Sequence, residues 1–563
     1  MSDRPAPTPE TTAPPPRRRL GRVLKLGCGA LLGFPLLLGL AVWIWWSTDI
    51  ADPFPDYSLS IDLSSEAGAQ LAAGAAKVDI TPAITETWTD RDGDGVYEPE
   101  DGDTFQDTDG DGVFDAVWMA GFGTGRPATG VHDPLWARAL VVEVGRLRLG
   151  LVSVDLVGFF HTDVIRIRHA IAATQSGGRP LVDYLVVAST HNHEGPDTLG
   201  LWGPDDFHSG VDPQYLESVR AAVVRSLREA VEALRPAVAR FHSTRYGDGV
   251  VLHDYKRRPY VVDDTLGVIH FADRENGQTL ATLVSWSNHP ETMGSEQTLI
   301  TSDFPHWLRE GVEKGVGAGG RDPVPGVGGI CVFVNGAIGG MMTSLSMDLP
   351  DRESGEMIRE KSDDGRRYPW SRPRSVGEHV AAEALRLIHE DRDGTPLATP
   401  PLRIRAKTFH LPMTNPIFRL GAKLGRLDRG SFDGSLRTEA AVIDLGPARL
   451  VAIPGEIYPE IVIGGIETPS GADYPIAPVE VPPIKEALAA EGVEHCFILG
   501  LANDEVGYLI PKSEWDAPAG LPWDSDGNPP YLYGAERPPY GEINACGPDA
   551  AGIVHRAILS LAK

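Results

Sequence analysis

Residues 26–46 read LGCGALLGFPLLLGLAVWIWW, 21 positions without a charge. A helix is the natural solution for such a run. At ~1.5 Å per residue it spans the ~30 Å hydrocarbon core of a bilayer, and it satisfies its own backbone where lipid offers no partner. Arg17, Arg18, Arg19, Arg22 and Lys25 precede the run, and Trp43, Trp45 and Trp46 crowd its far end. This asymmetry predicts a single-pass signal anchor with a cytoplasmic amino terminus and an extracytoplasmic body, periplasmic or extracellular. A cleaved signal peptide is the competing reading, but the stretch is long for an h-region and no A-x-A-like site follows closely. Cys28 precedes most of the apolar run, which disfavours a lipoprotein cleavage site. The expected organisation is a disordered basic tail over 1–25, the anchor over 26–46, a linker over 47–74 and a folded body over 75–563.

The chain carries a net charge of −27, whereas residues 1–47 hold six basic and two acidic side chains, leaving −31 on the remainder. Phosphate binding needs clustered Lys and Arg, so an acidic body argues against nucleic acid as a partner. Four cysteines (Cys28, Cys331, Cys496, Cys546) spread over 563 residues make no disulfide framework; Cys331 and Cys496 sit in apolar runs and read as buried thiols. The runs 147–156, 183–190, 280–286 and 330–337 are rich in Val, Leu and Ile and end in turn residues, as buried strands do. Segments 215–234 and 376–390 repeat apolar residues at helical spacing, and 440–456 reads as a hairpin turning at Gly446-Pro447. The fold class predicted is α/β, a large mixed β-sheet domain with surrounding helices.

Two short segments, DRDGDGVYE (90–98) and DTDGDGVFD (107–115), repeat one pattern. Each places side-chain oxygens at alternate positions around a glycine turn, as calcium, a hard cation, requires. They resemble the calcium loops of thrombospondin type-3 and dockerin repeats. The candidate ligands are Asp90, Asp92, Asp94 and Glu98, then Asp107, Asp109, Asp111 and Asp115, with a structural role in an insertion over 88–116. A merely solvated acidic loop is the bland alternative.

The body opens with AGAAKVDITP (73–82), continues through TGVHDPLWARALVVE (129–143) and reaches VVASTHNHEGPD (186–197). SWSNHPETM (285–293), IPGEIYPE (453–460), GLANDEVGYLIP (500–511) and YGEINACGP (540–548) follow. In order and spacing these segments resemble the neutral, non-lysosomal ceramidase family over nearly all of 75–563. The resemblance implies an amide hydrolase using Zn2+ held by His132, His193, Glu456 and Tyr508. It further implies that His191 and Tyr540 polarise the scissile carbonyl. Histidine and carboxylate are good zinc ligands, and an open position lets zinc lower the pKa of water towards ~7. His191 and His193, at i and i+2 on a continuing strand, would face one pocket.

Each residue also has a plain reading: His132 as a surface or capping group, Glu456 as a helix start, Tyr508 as core. His289 is as readily a core histidine as a pocket residue, and Tyr533 lies near Tyr540. Met342 falls where the family carries a serine, which disfavours a serine-assisted mechanism. The family's separate carboxy-terminal β-sandwich domain is expected to be missing. The sequence lacks G-x-S-x-G, H-E-x-x-H and a G-K-[ST] loop. The leading expectation is therefore a ceramidase-like zinc hydrolase of an N-acyl lipid or another small amide. The rivals are a zinc esterase or amidase for a different substrate, and a calcium-stabilised surface binding protein with a decayed site.

Overall fold

The computed structural model describes residues 38–176, 178–247, 251, 254–255, 257–317, 322–361, 368–391, 395–518, 521, 530–536 and 540–562. The chain divides into two units, Met1–Asp49 and Ile50–Lys563. In the first, residues 38–47 are helical. No helix among the described residues is long and apolar enough to cross a membrane, and residues 26–37 of the expected anchor lie outside them.

Two sheets form the centre of the second unit. The larger has eight strands in the order Tyr184–Ser189, Leu147–Val154, Trp136–Val144, Leu71–Asp79, Arg235–Arg245, Thr265–Asp273, Thr279–Trp286 and Ile330–Asn335. The smaller has five, in the order Ser60–Ser64, Leu402–Pro412, Ser435–Leu445, Ala448–Ala452 and His495–Leu499. Their facing sides share one core, in which Leu140, Val186, Phe271 and Leu283 of the larger sheet meet Ile404, Ile443, Leu450 and Phe497 of the smaller. At Gly267 a Cβ would lie 2.4 Å from the Phe497 ring, so the two sheets approach closely only because a side chain is missing there.

Helices cover both outer faces. Pro213–Glu232 buries Val219, Val223 and Leu227 with Val141 and Val152 of the larger sheet, while Phe304–Lys314 and Ser371–Glu390 cover its other half through Leu308, Val312 and Val380. Ala550–Leu561 packs Val554 and Ile558 against Val442 and Val451 of the smaller sheet. The strands read from apolar runs form as expected, and the hairpin turns where Gly446-Pro447 separates Leu445 from Ala448. The α/β class holds, with two sheets rather than one.

The folded body begins earlier than the sequence suggested. Strand Ser60–Ser64 lies inside the expected linker 47–74 and pairs with Leu402–Pro412, while Asp52 forms an ion pair with Arg437. A short polar strand at a sheet edge has little apolar patterning to betray it. Among the described cysteines Cys331, Cys496 and Cys546 are free, the first and last of them buried.

One polar junction crosses the apolar layers. Glu439, fully buried, receives both Arg168 Nη atoms at 2.7 Å, the Tyr184 hydroxyl at 2.7 Å and Asn503 Nδ2 at 3.0 Å. Burial opposes ionisation of Glu439, but the Arg168 charge outweighs it and holds the carboxyl below its ordinary pKa. Glu439→Ala should lower stability by about 3–5 kcal/mol, because Arg168 then stays buried without a counter-charge. A thermal midpoint unchanged from wild type would contradict this.

Candidate metal centre

Five strands release their loops at one place. Those strands, Tyr184–Ser189, Thr279–Trp286, Ile330–Asn335, Ala448–Ala452 and His495–Leu499, all belong to parallel pairs. Loops beyond the carboxyl ends of such strands are where α/β sheets build ligand sites. Asn335, fully buried, ties them together: its Nδ2 donates to Thr190 O at 2.9 Å and to Asn288 O at 2.8 Å, and its Oδ1 accepts from Asn288 N at 3.1 Å. Its backbone carbonyl accepts from Gly500 N at 2.9 Å. Thr190 precedes His191 and Asn288 precedes His289, so one amide fixes the approach of both histidines.

His191, His193 and His289 form a buried group whose ring nitrogens lie within metal-sharing distance. Ring centroids are 4.7 Å apart for His191–His193 and 5.0 Å for His191–His289. His191 Nδ1 lies 2.7 Å from Val157 O, and His289 Nδ1 lies 2.6 Å from Met341 O. A carbonyl can only accept, so each Nδ1 carries the hydrogen and each neutral ring presents an Nε2 lone pair. Both Nε2 atoms converge on the same oxygen, Glu456 Oε2, at 3.4 Å for His191 and 3.1 Å for His289. Two lone pairs and a carboxylate oxygen repel unless a cation stands among them. In the metal-free protein the cation is a proton: burial alone would depress His191, but the Glu456 charge reverses that and raises its pKa to about 9. Glu456 is correspondingly held well below its usual range.

Glu456 and Tyr508 arrive side by side because Glu456–Ile457 and Tyr508–Leu509 pair as parallel strands with Glu456 opposite Tyr508. Burial, followed by the Glu456 charge, raises the Tyr508 hydroxyl well above its ordinary pKa. The Tyr540 ring stands edge-on to Tyr508 at 5.6 Å, and Asn544 Nδ2 donates to its hydroxyl at 3.3 Å. Tyr540 is 44% exposed overall, so its ring reaches the cleft mouth. Tyr533 turns away to bond Glu467.

His193 is differently placed. Its Nδ1 lies 3.0 Å from Glu291 Oε2, yet neither ring nitrogen has a well-directed hydrogen bond. Burial pushes its pKa down to about 4, so the ring is neutral near pH 7. Gly121 faces it, and a Cβ there would lie 2.5 Å from His193 Cβ and 2.7 Å from the ring's Cγ. His191, His193, Glu456, Glu505, Tyr508 and Tyr540 line a cleft of ≈ 730 Å³, part of it open to solvent. Phe160, Leu199, Leu201, Trp202, Met413, Phe418 and Leu427 make its walls.

The structure brings together five of the six zinc-site and catalytic residues drawn from the resemblance and leaves out His132. That ring is exposed, stacks on Trp370 at 3.7 Å and engages Asp133 Oδ2 at 2.9 Å, outside both the cluster and the cleft lining. Its backbone is held in place by Ile300 O. His289 stands in the group instead. The convergence of His191 and His193 also has a different origin, since the strand stops at Ser189 and His191 adopts φ 65°. That left-handed residue, rare outside glycine, turns the chain. Glu291 and Glu505 were missed, although Glu291 follows His289 by two positions. Met342 lies in strand Met341–Thr343, its side chain outside the described residues, and Ser344 is occupied by Val251 O at 3.1 Å.

The acidic loops form two groups, Asp90–Asp92–Asp94 and Glu86–Asp107–Asp109. Asp90 accepts from Gly93 N and Gly95 N, and Asp107 from Gly110 N and Gly112 N, with all four glycines at positive φ. Buried Glu86, not anticipated, accepts from Thr108 N and Asp115 N. Glu98, Asp111 and Asp115 fall outside the two groups.

The fold and the pocket together define an α/β sandwich with a metal-competent histidine–carboxylate cluster beneath an apolar cleft. Two solved structures share this fold. Neutral ceramidase from Pseudomonas aeruginosa is 16% identical with a TM-score of 0.56, covering 88% of this chain and 74% of that one. A ceramidase complexed with C2 is 15% identical with a TM-score of 0.56, covering 88% and 75%. The chain has the neutral-ceramidase fold. No family model matches the sequence, and no curated protein matches it.

Asn335→Ala should unpair the Thr190 and Asn288 backbone groups at about 1–3 kcal/mol each and lower the cluster's affinity for any divalent metal it takes up by ~10-fold or more. Titration with zinc and a melting curve check both. Wild-type zinc affinity in the variant would show that the amide does not position the histidines.

Proposed function

We propose that the chain is a zinc-dependent hydrolase of an amide bond in an N-acyl lipid, similar in reaction to the ceramidases whose fold it shares. One observation carries the reading: the Nε2 atoms of His191 and His289 and the carboxylate of Glu456 converge on one point at the floor of an apolar cleft. Zinc fits this donor set, because both Nδ1 atoms are committed to carbonyls and the remaining lone pairs face a carboxylate. His191, His289 and Glu456 would hold the metal, with the Tyr508 hydroxyl beside Glu456 as the fourth donor. When bound, zinc supplies a Lewis acid that polarises the carbonyl and acidifies water near neutral pH.

The protein groups do the rest. The apolar walls hold the acyl or alkyl chain and exclude water from the floor. Tyr540 donates towards the carbonyl oxygen as negative charge develops there, a contribution typically worth ~3–4 kcal/mol. Neutral His193 takes a proton from the attacking water at Nε2, with Glu291 steadying the resulting imidazolium. The C–N bond then breaks, the proton passes to the departing nitrogen, and the products are a carboxylate and an amine. In this reading His193 carries the proton and His191 is a ligand.

His191→Ala and His289→Ala should each lose zinc and hydrolysis of a fluorescent N-acylsphingosine. His193→Ala should keep zinc and lose turnover by ~10²-fold or more, and His132→Ala should keep both. Retained zinc and full activity in His289→Ala would sink the ligand set. The proton balance gives a second check. His191 is protonated at pH 7 in the metal-free protein, since its pKa is raised to about 9, and zinc must displace that proton. Zinc binding at pH 7 should therefore release about one proton, and affinity should rise with pH until His191 has titrated. A binding enthalpy independent of buffer ionisation would contradict this.

We further propose that the two acidic groups bind calcium and stiffen the insertion over 88–116, and that residues 26–46 anchor the chain near its lipid substrate. The tandem loop geometry supports the first, the uncharged run the second. A ligand binding only the native state adds ~2.7 kcal/mol at a hundredfold excess over Kd. Chelator should lower the melting temperature of the full chain, and Asp90→Ala with Asp107→Ala should remove that difference. Identical curves with and without calcium would overturn the calcium reading.

A further inference from the structure

The helix Pro416–Lys423 is apolar on two sides. Phe418 and Ala422, four residues apart, turn inward to pack with Phe160, Leu199 and Leu427, and both Phe418 and Leu427 line the cleft. Ile417, Leu420 and Leu424 share the other side, and they are 40%, 42% and 61% exposed. Beyond them Phe432 is 72% exposed. The exposed side cannot simply roll inward. Buried Asn415 accepts from Ile417 N at 2.9 Å at the helix start, while its amide donates to Ile543 O at 2.8 Å and Ala545 O at 2.9 Å. Single exposed apolar side chains are ordinary, but four large ones between 417 and 432, beside a cleft mouth, form a patch that another apolar surface covers.

Charge and chain path say what covers it. Residues 411–427 hold Arg419, Lys423 and Arg426 and no acidic side chain, within a strongly acidic body. Asp428, next along, is paired with Arg166 at 2.6 Å. Arg426 donates to the carbonyls of Asp206 and His208, so the acidic loop at Asp205 and Asp206 marks the edge of the basic stretch. Apolar side chains ringed by Lys and Arg suit an anionic lipid interface, where the apolar groups enter and the cations stay at the headgroups. A second copy docked by the same face would set these cations against each other. The chain path agrees: Ile50 N donates to Ser431 Oγ at 2.9 Å, and Ser431 N donates to Ile50 O at 3.0 Å. Only residues 47–49 separate Ile50 from the uncharged run 26–46, and four extended residues span at most ~14 Å. A chain leaving a bilayer at Trp46 therefore joins the body beside this face. We propose that the exposed side of Pro416–Lys423, together with Leu424 and Phe432, is a docking surface for an anionic lipid bilayer. Docking sets the cleft mouth against the membrane, so that a lipid passes from one apolar phase to another without crossing water. The docking stands apart from catalysis, and only the identity of the lipid taken up rests on the N-acyl hydrolase reading.

Lipid-borne quenchers test it without turnover. Full-length protein in a Cys28→Ser background would be reconstituted with phosphatidylcholine vesicles, with or without phosphatidylglycerol, that carry nitroxide-labelled lipid. A fluorophore would be attached at Leu424→Cys or, for reference, at Glu229→Cys on the outer helix Pro213–Glu232; the Cys28→Ser protein alone gives the background from the native thiols. The Leu424 label should be quenched in the anionic vesicles and the Glu229 label should not. Replacing Arg419, Lys423 and Arg426 together by Gln should lower the ratio of docked to undocked protein by about tenfold or more. Raising the salt concentration should lower it in the same direction, which tests the charges on the unaltered helix should the triple variant fail to fold. Three outcomes would overturn the proposal: a Leu424 label quenched no more than the Glu229 label, quenching indifferent to anionic lipid and salt, or a Leu424 label shielded from water yet untouched by the lipid quencher, which would mean that a protein covers the face. Docking in a protein that hydrolyses no N-acyl lipid would count against the hydrolase reading alone. Hydrolysis of a dispersed short-chain substrate without quenching would count against the docking surface alone.

Discussion

The side chain of Asn335 joins the last residue of one strand to the loops of two others, and the cleft depends on that join. It grips Thr190 and Asn288, the residues immediately before His191 and His289, while its carbonyl holds Gly500. Strands with parallel partners can end together, but loops leaving them are free to diverge unless something pins them. An amide with two donors and an acceptor, sealed from water, can bind two backbones at once without introducing charge. The further loop contacts build outward from there: Asn503 N reaches Val187 O, Ala502 N reaches Ile453 O, and the chain then delivers Tyr508 opposite Glu456.

Two environments meet in the cleft. Its floor gathers two imidazoles on one carboxylate oxygen, an arrangement that demands a cation and therefore selects either a proton or a metal. Its walls are aromatic and aliphatic, and they suit a hydrocarbon chain rather than an ionic metabolite. The rest of the molecule handles charge in the same paired way. Arg309 with Asp155 and Arg257 with Glu542 are buried ion pairs far from solvent. Such pairs contribute little net stability but leave a misfolded register with an uncompensated charge.

Much of the fold was legible because apolar runs and helical spacing report burial directly. Leu147–Val154, Ile330–Asn335 and Pro213–Glu232 appear close to where their patterns place them. Glu456 and Tyr508 were legible through motif order, and backbone pairing makes them neighbours. His132 and His289 were not separable from sequence, since both follow turns and both precede a proline or an acid. What separates them is tertiary: Asp133 and Trp370 engage one, whereas Met341 O and Glu456 engage the other. His191 and His193 do share one pocket, but not by period-two spacing, since the strand ends at Ser189 and the left-handed turn at His191 brings them together. Glu505 lies inside segment 500–511, but its unpartnered oxygen is visible only in three dimensions.

Diffraction from zinc-loaded crystals at the zinc absorption edge tests the central claim directly. One anomalous peak is expected within ligand distance of His191 Nε2, His289 Nε2 and the Glu456 carboxylate. A peak coordinated by His132 or His193 in place of His289, or no zinc peak near Glu456 at full loading, would contradict it.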